Sequence, residues 1–194
     1  MKFELTGWSS VGFRCPDAEI NITKAVGESK KISLIQMPNG TGKTTTLNLL
    51  RATLSGSAKN WSEKQIKSYR RPEEYNDTGS FKVKLEIDDK PWTFELKMNF
   101  DDGKVIYYTT NPGSGGMEEG FAPPQNASKF FKEKFMELFV FDGNFAKGLF
   151  DADKTKADDA IEALCQLYVL DDMSAASEVN WQAKANADTT KSEK

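Results

Sequence analysis

The chain has 194 residues, 38% apolar and 28% charged, enough for one packed domain with an appendage, which excludes wholesale disorder. Its 26 basic and 29 acidic residues leave a net charge of −3, which excludes a globally basic nucleic-acid coat. Histidine is absent, so Ser-His-Asp and Cys-His catalysis and every His-ligated metal site are excluded too.

The two cysteines, Cys15 and Cys165, lie far apart in sequence. They make neither a disulfide framework nor a zinc knuckle, and they suit a reducing compartment. No stretch approaches the run of about 18 apolar residues that a membrane span needs. Met1 to Ser10 lacks the basic start and apolar core of a signal peptide. The expectation is a soluble cytoplasmic protein with no membrane partner.

In chain order, Lys2-Phe3-Glu4-Leu5 and Ala18 to Thr23 alternate with period two and predict strands. Ile32-Ser33-Leu34-Ile35-Gln36-Met37 is mostly apolar and predicts a buried central strand. Pro38-Asn39-Gly40 ends it. From Lys43 to Leu54 the spacing predicts a helix, with Leu47, Leu50 and Leu54 on one face, Leu49 beside them, and Gly56 as its stop. Residues 57–79 are polar and irregular. Residues 81–87, 92–98 and 104–110 alternate again, separated by turns at Asp88-Asp89-Lys90-Pro91 and Asp101-Asp102-Gly103. This predicts an antiparallel meander with one buried and one wet face. Its Phe81, Trp92 and Phe94 read as sheet core, and the paired aspartates as turn residues.

Residues 111–126 hold four of the 14 glycines and three of the seven prolines and read as a loop. Ala127 to Leu138 predicts an amphipathic helix with Phe130, Phe131, Phe135 and Leu138 inward. Phe139-Val140-Phe141 predicts a short strand ending in the Asp142-Gly143 turn. Lys154 to Leu170 predicts a helix with Ile161, Leu164 and Leu167 or Tyr168 as its stripe. Residues 171–194 contain no Leu, Ile or Phe but five alanines. Such a tail can be helical but cannot bury a face by itself.

The segment richest in chemistry is Pro38-Asn39-Gly40-Thr41-Gly42-Lys43-Thr44-Thr45. It follows an apolar run and opens a helix, the context of a phosphate-binding P-loop. Gly40 and Gly42 let the backbone curl round a phosphate and aim its N–H groups inward. A helix start adds the positive end of its dipole. Lys43 is expected on the β- and γ-phosphates, the Thr44 hydroxyl on Mg²⁺ and the Thr45 backbone on the α-phosphate, with Asn39 and Thr41 completing the ATP contacts. Met37 stands where the full pattern has its first glycine. That position is at the strand exit, so the change is expected to be tolerated. Asp142 is the candidate acidic ligand for Mg²⁺; the alternative is a plain turn residue, because Asp-Gly is a common turn pair. No segment of four apolar residues followed by Asp-Glu occurs, so the chain carries half of a hydrolytic site.

With Pro38 to Thr45 and Phe141-Asp142-Gly143 together, the chain resembles the N-terminal half of an ATPase head from the SMC-like group of ABC ATPases. These are chromosome-maintenance, recombination and break-repair ATPases with long coiled coils. The resemblance covers residues 1 to about 175. The segment Phe139 to Asn144 is similar to the Phe-Phe-Asp-Gly-Glu segment of DndD-like and Lamassu-type bacterial defence ATPases, at the position of the ABC Q-loop. The resemblance implies an α/β P-loop head lobe over residues 1–170, with an antiparallel meander. Residues 171–194 would begin a helix leading into a coiled coil. It also implies that Asp142 sits near Mg²⁺ and the attacking water, and that Arg14 faces the nucleotide phosphates; the alternative for Arg14 is a surface arginine near a strand end. Asn144 stands where the family has Glu.

In such heads the Walker B acid and the signature motif lie in a C-terminal lobe. Ser114-Gly115-Gly116 is the nearest string here, but it lies in a Pro/Gly loop and opens no helix. The expected partners are that C-terminal lobe, a second head in a homodimer closing on ATP, DNA, and a nuclease or effector subunit. Residues 59–71 carry Lys59, Lys64, Lys67, Arg70 and Arg71 against Glu63, with Trp61 and Tyr69 interleaved. If helical, Lys64, Lys67 and Arg71 share a face suited to the DNA backbone, with Arg70 beside them; the alternative is an ordinary solvated loop. The leading expectation is thus the ATP-binding part of an ATPase acting on DNA in antiviral defence or repair. Two other classes remain open: a stand-alone P-loop kinase or small NTPase, and an interaction module that binds ATP without hydrolysis.

Overall fold

The computed structural model describes residues 1–22, 32–72, 76–113, 115–141, 161, 162, 165 and 167–192. The chain divides into two compact units, Met1–Asp142 and Gly143–Lys194. Asp142, Asn144, Ser114 and most of the Lys154–Leu170 segment lie outside the described residues.

The first unit is a mixed α/β fold built on a six-stranded antiparallel sheet. Its strands are β1 (Phe3–Val11), β2 (Ala18–Asn21), β3 (Thr78–Ile87), β4 (Lys90–Asn99), β5 (Lys104–Thr110) and β6 (Met117–Glu119), in spatial order β2-β1-β3-β4-β5-β6. Alternation decides the faces. Phe81, Val83, Leu85 and Ile87 of β3 turn inward, opposite Leu96, Phe94, Trp92 and Lys90 of β4. Lys82 and Lys84 point the other way. A two-residue turn joins these strands, with Asp88 at φ 49° and Asp89 at φ 61°. Two positive φ values match the right-handed strand twist, and Lys2 holds both aspartates, its backbone N–H donating to Asp88 and its ammonium to Asp89. The expected meander is therefore present and longer than its core alternation, and β6 adds a strand inside the stretch read as loop.

Helix α1 (Lys43–Ser55) lies against the inner face through Leu49, Leu50, Ala52, Thr53 and Leu54, all buried. Gly56 ends it in the left-handed region, its N–H bonding the Ala52 carbonyl. A 3-10 turn (Ser57–Asn60) follows. Next comes the short helix α2 (Glu63–Lys67), whose start is capped by Ser62 accepting from the Gln65 N–H. Phe13 is fully buried and edge-on to Phe81 and Phe100.

Three expectations need correction. Residues 32–38 form no strand; Ile32 and Leu34 are 87% and 93% exposed. A strand needs a ladder partner, and among the described residues none lies beside this segment. The helix expected over 127–138 is interrupted. A 3-10 turn (Ser128–Phe131) is followed by extended Lys132, then α3 (Glu133–Phe139). The break lets Phe131 enter the core beside Phe94 and Phe121 while Phe135 stacks on Phe139. Phe139 therefore ends a helix, and Val140 and Phe141 belong to no strand.

The second unit contains α4 (Tyr168–Ser192). It runs through the composition shift at 171, with Met173, Val179 and Trp181 exposed. No helix among the described residues is long and apolar enough to cross a membrane.

Candidate nucleotide-binding site

The glycine loop at the start of α1 is open to solvent. Gly40 has φ 80° and Gly42 φ 86°, values that favour glycine. A Cβ on Gly40 would meet nothing within 4 Å, whereas one on Gly42 would press into Cys15 Cβ at 2.7 Å. Gly42 is thus required twice, for its backbone conformation and for its close seat on the 12–17 loop.

Gly42 is also the N-cap of α1. No side chain caps the helix, and its first turn carries no acidic residue. The first-turn N–H groups of a helix have no intrahelical partners, so α1 presents bare donors and a positive dipole end where α2 has Ser62 and Glu63. Lys43 folds back over the loop. Its ammonium donates to the Met37 carbonyl at 3.2 Å, the Pro38 carbonyl at 2.9 Å and Asn39 Oδ1 at 3.1 Å. The Thr41 hydroxyl donates to the Pro38 carbonyl at 2.7 Å. Thr44 is exposed on the first turn, and Thr45 is buried.

Arg14 reaches this helix start. Its Nε donates to Thr45 Oγ1 at 3.2 Å, and its guanidinium carbon lies 5.1 Å from the centre of the Tyr69 ring. Tyr69 stacks on Trp61, with ring centres 5.0 Å apart and planes 16° from parallel. Burial pushes the Tyr69 phenol above its usual range, opposed by its bond with Asn48 and by the charges of Arg14 and Arg51.

The basic stretch is organised differently from a single helical face. Helix α2 ends at Lys67, where the chain turns to bridge Phe13 with Arg70. Arg71 therefore leaves the face of Lys64 and Lys67. Its guanidinium donates to the Phe13 carbonyl at 2.9 Å, the Cys15 carbonyl at 3.0 Å and the Asp17 carboxylate. Arg70 pairs with Asp77 at 3.0 Å and Asp101 at 3.2 Å. Lys67 pairs with Glu63, whose carboxyl is held below its usual range by that hydrogen bond and charge. Lys64 is exposed.

The structure thus brings Asn39, Gly40, Thr41, Gly42, Lys43, Thr44, Thr45 and Arg14 together, with Arg70 and Arg71 paired within the scaffold. Asp142, the candidate metal ligand, is not among the described residues. Among those described, no cluster of three acidic or sulfur ligands could hold a metal. Sequence reasoning missed Tyr69 and Asp17. Tyr69 meets Arg14, and Arg71 meets Asp17, across more than 50 residues, and an aromatic between basic residues is the only local hint. No family model matches the chain, and none of the curated proteins is detectably similar to it.

Proposed function

We propose that this chain is the ATP-binding part of an SMC-like ATPase head. In this reading the 38–45 segment is a P-loop in an ABC-type lobe, and α4 begins a coiled coil. The observation that carries it is the bare, glycine-lined start of α1 with the Lys43 ammonium folded across it. Uncapped N–H groups, a helix dipole and the Lys43 ammonium together suit a polyphosphate. Gly40 leaves open space on the loop that a Cβ would intrude on. The residues present fit the triphosphate: Lys43 exchanges its three loop oxygens for the β- and γ-phosphates, and the Thr45 N–H serves the α-phosphate. For Mg²⁺ the exposed Thr44 hydroxyl fits as one ligand, with Asp142 the proposed second. The bound Mg²⁺ would supply charge neutralisation between the phosphates.

The apolar run Ile32 to Met37, with Ile32, Leu34 and Ile35 exposed, supports the same reading, because an apolar segment leading into such a loop is suited to a strand partner from another lobe. That lobe would bring the missing Walker B acid, and head dimerisation around ATP would drive a DNA-acting complex in antiviral defence or repair. Titration with Mg²⁺ and a fluorescent ATP analogue tests the binding step. The expected result is saturable binding by the chain and its loss in Lys43→Ala. Turnover should be absent for the chain alone and appear on addition of a C-terminal lobe. Robust turnover by the chain alone would replace this reading with a small NTPase or kinase.

A further inference from the structure

We infer that Tyr69 is a positioning residue for Arg14, holding its guanidinium at the nucleotide phosphates. The inference rests on the P-loop reading above. Arg14 is exposed and lies on a loop between two strands, where a long side chain would sample many rotamers. Instead it is fixed from three directions. Its Nε is bonded to Thr45 Oγ1, one residue from the proposed Mg²⁺ ligand. Its backbone N–H donates to the Tyr69 carbonyl at 3.0 Å. Its guanidinium lies over the Tyr69 ring. The ring is itself buried and stacked on Trp61.

Arg71 fastens the rest of the loop through the Phe13 and Cys15 carbonyls and Asp17. Residues 69–71 thus fix both the backbone and the side chain of Arg14. A cation held over an aromatic face keeps its N–H edge free to donate. With Nε on Thr45, the terminal nitrogens are left for an anion at the helix start. Tyr69 touches no phosphate in this arrangement; it acts by holding a group that does.

The test is binding of Mg²⁺ and a fluorescent ATP analogue by the intact chain and its variants, with thermal melting as the folding control. Arg14→Ala should weaken binding about tenfold, the scale of one hydrogen bond to a charged group. Tyr69→Leu should weaken it about fivefold, the scale of a partly desolvated cation–π contact. Tyr69→Phe, which keeps the ring, should bind within about twofold of wild type. The Arg14→Ala/Tyr69→Leu double variant should bind no worse than Arg14→Ala alone, because Tyr69 acts through Arg14. Tyr69→Met, whose longer and more adaptable side chain fills irregular space without a ring face, replaces Tyr69→Leu if the latter melts below the assay temperature.

Unchanged affinity in the folded ring-less variant, or losses that add in the double variant, would overturn this inference alone. Absence of binding by wild type, or binding indifferent to Lys43→Ala, would overturn the P-loop reading and this inference with it.

Discussion

Tyr107 sends its phenol into the core beneath α1. The hydroxyl donates to the Ala52 carbonyl at 2.8 Å and accepts from the Ala58 N–H at 3.1 Å. One oxygen thereby serves both sides of the helix stop at Gly56. Removing it leaves a buried carbonyl and a buried N–H without that partner, so Tyr107→Phe should lower stability by about 1–3 kcal/mol. The urea midpoint should fall with an unchanged slope. Burial also pushes this phenol well above the usual tyrosine range, which favours the neutral form in the fold. The unfolded phenol ionises near pH 10. The stability tied to this group is therefore complete below about pH 10 and declines above it. Tyr107→Phe should flatten that alkaline decline, and an equally steep decline in the variant would refute the assignment.

Residues of this kind mark the limit of what the sequence discloses. Tyr107 reads as an inward strand position from its alternation, but its bond to α1 depends on which face the helix takes. Arg70 and Arg71 read as a DNA-facing patch or as solvated charge, because nothing local announces Asp77, Asp101 or the carbonyls of Phe13 and Cys15. The glycine loop was legible residue by residue because its chemistry is contiguous. Arg14 was legible only as a position, since its support comes from Tyr69.

At the scale of elements, what could be read is what repeats locally. The meander was visible because each strand alternates within itself and each turn carries Asp or Gly. Helix α1 was visible in its leucine spacing and in Gly56. That stop can be tested. Gly56 has φ 71°, and a Cβ there would meet the Phe121 ring at 2.7 Å. Gly56→Ala combines a left-handed backbone cost of about 1–2 kcal/mol with a ring that must shift. The expected outcome is a loss of about 1–3 kcal/mol in chemical denaturation; Gly56→Asn eases the backbone cost but keeps a Cβ against the ring, so it should not restore wild-type stability. A neutral Gly56→Ala would mean that the helix end rearranges freely. The interruption at Lys132 had no such signature. Phe130, Phe131 and Phe135 fit one helical stripe, and only Phe94 and Phe121 on the sheet decide that Phe131 turns inward separately.

At the scale of the whole molecule, the apolar run Ile32 to Met37 is a contiguous segment of the first unit whose Ile32, Leu34 and Ile35 stay exposed. Its composition is that of an interior strand, and the isolated sequence can only be read so. Burial needs neighbours, and the six strands of the sheet pair with one another without it. Amide hydrogen exchange separates the possible states of this segment. In the dilute chain, the N–H groups of 32–37 should exchange at close to the free-peptide rate, because no ladder bonds hold them among the described residues. Those of 79–87 and 92–98 lie in the middle of the sheet and should be protected to the limit of global unfolding. If a second lobe supplies the missing strands, protection should appear at 32–37 when that lobe is added and should deepen with Mg²⁺ and ATP. The central strands should change little, since their ladders are already complete. Protection of 32–37 in the chain alone, independent of concentration, would mean that the segment is paired within this fold and has no vacancy for a partner strand. Protection that grows with concentration would identify the partner as a second copy of the chain.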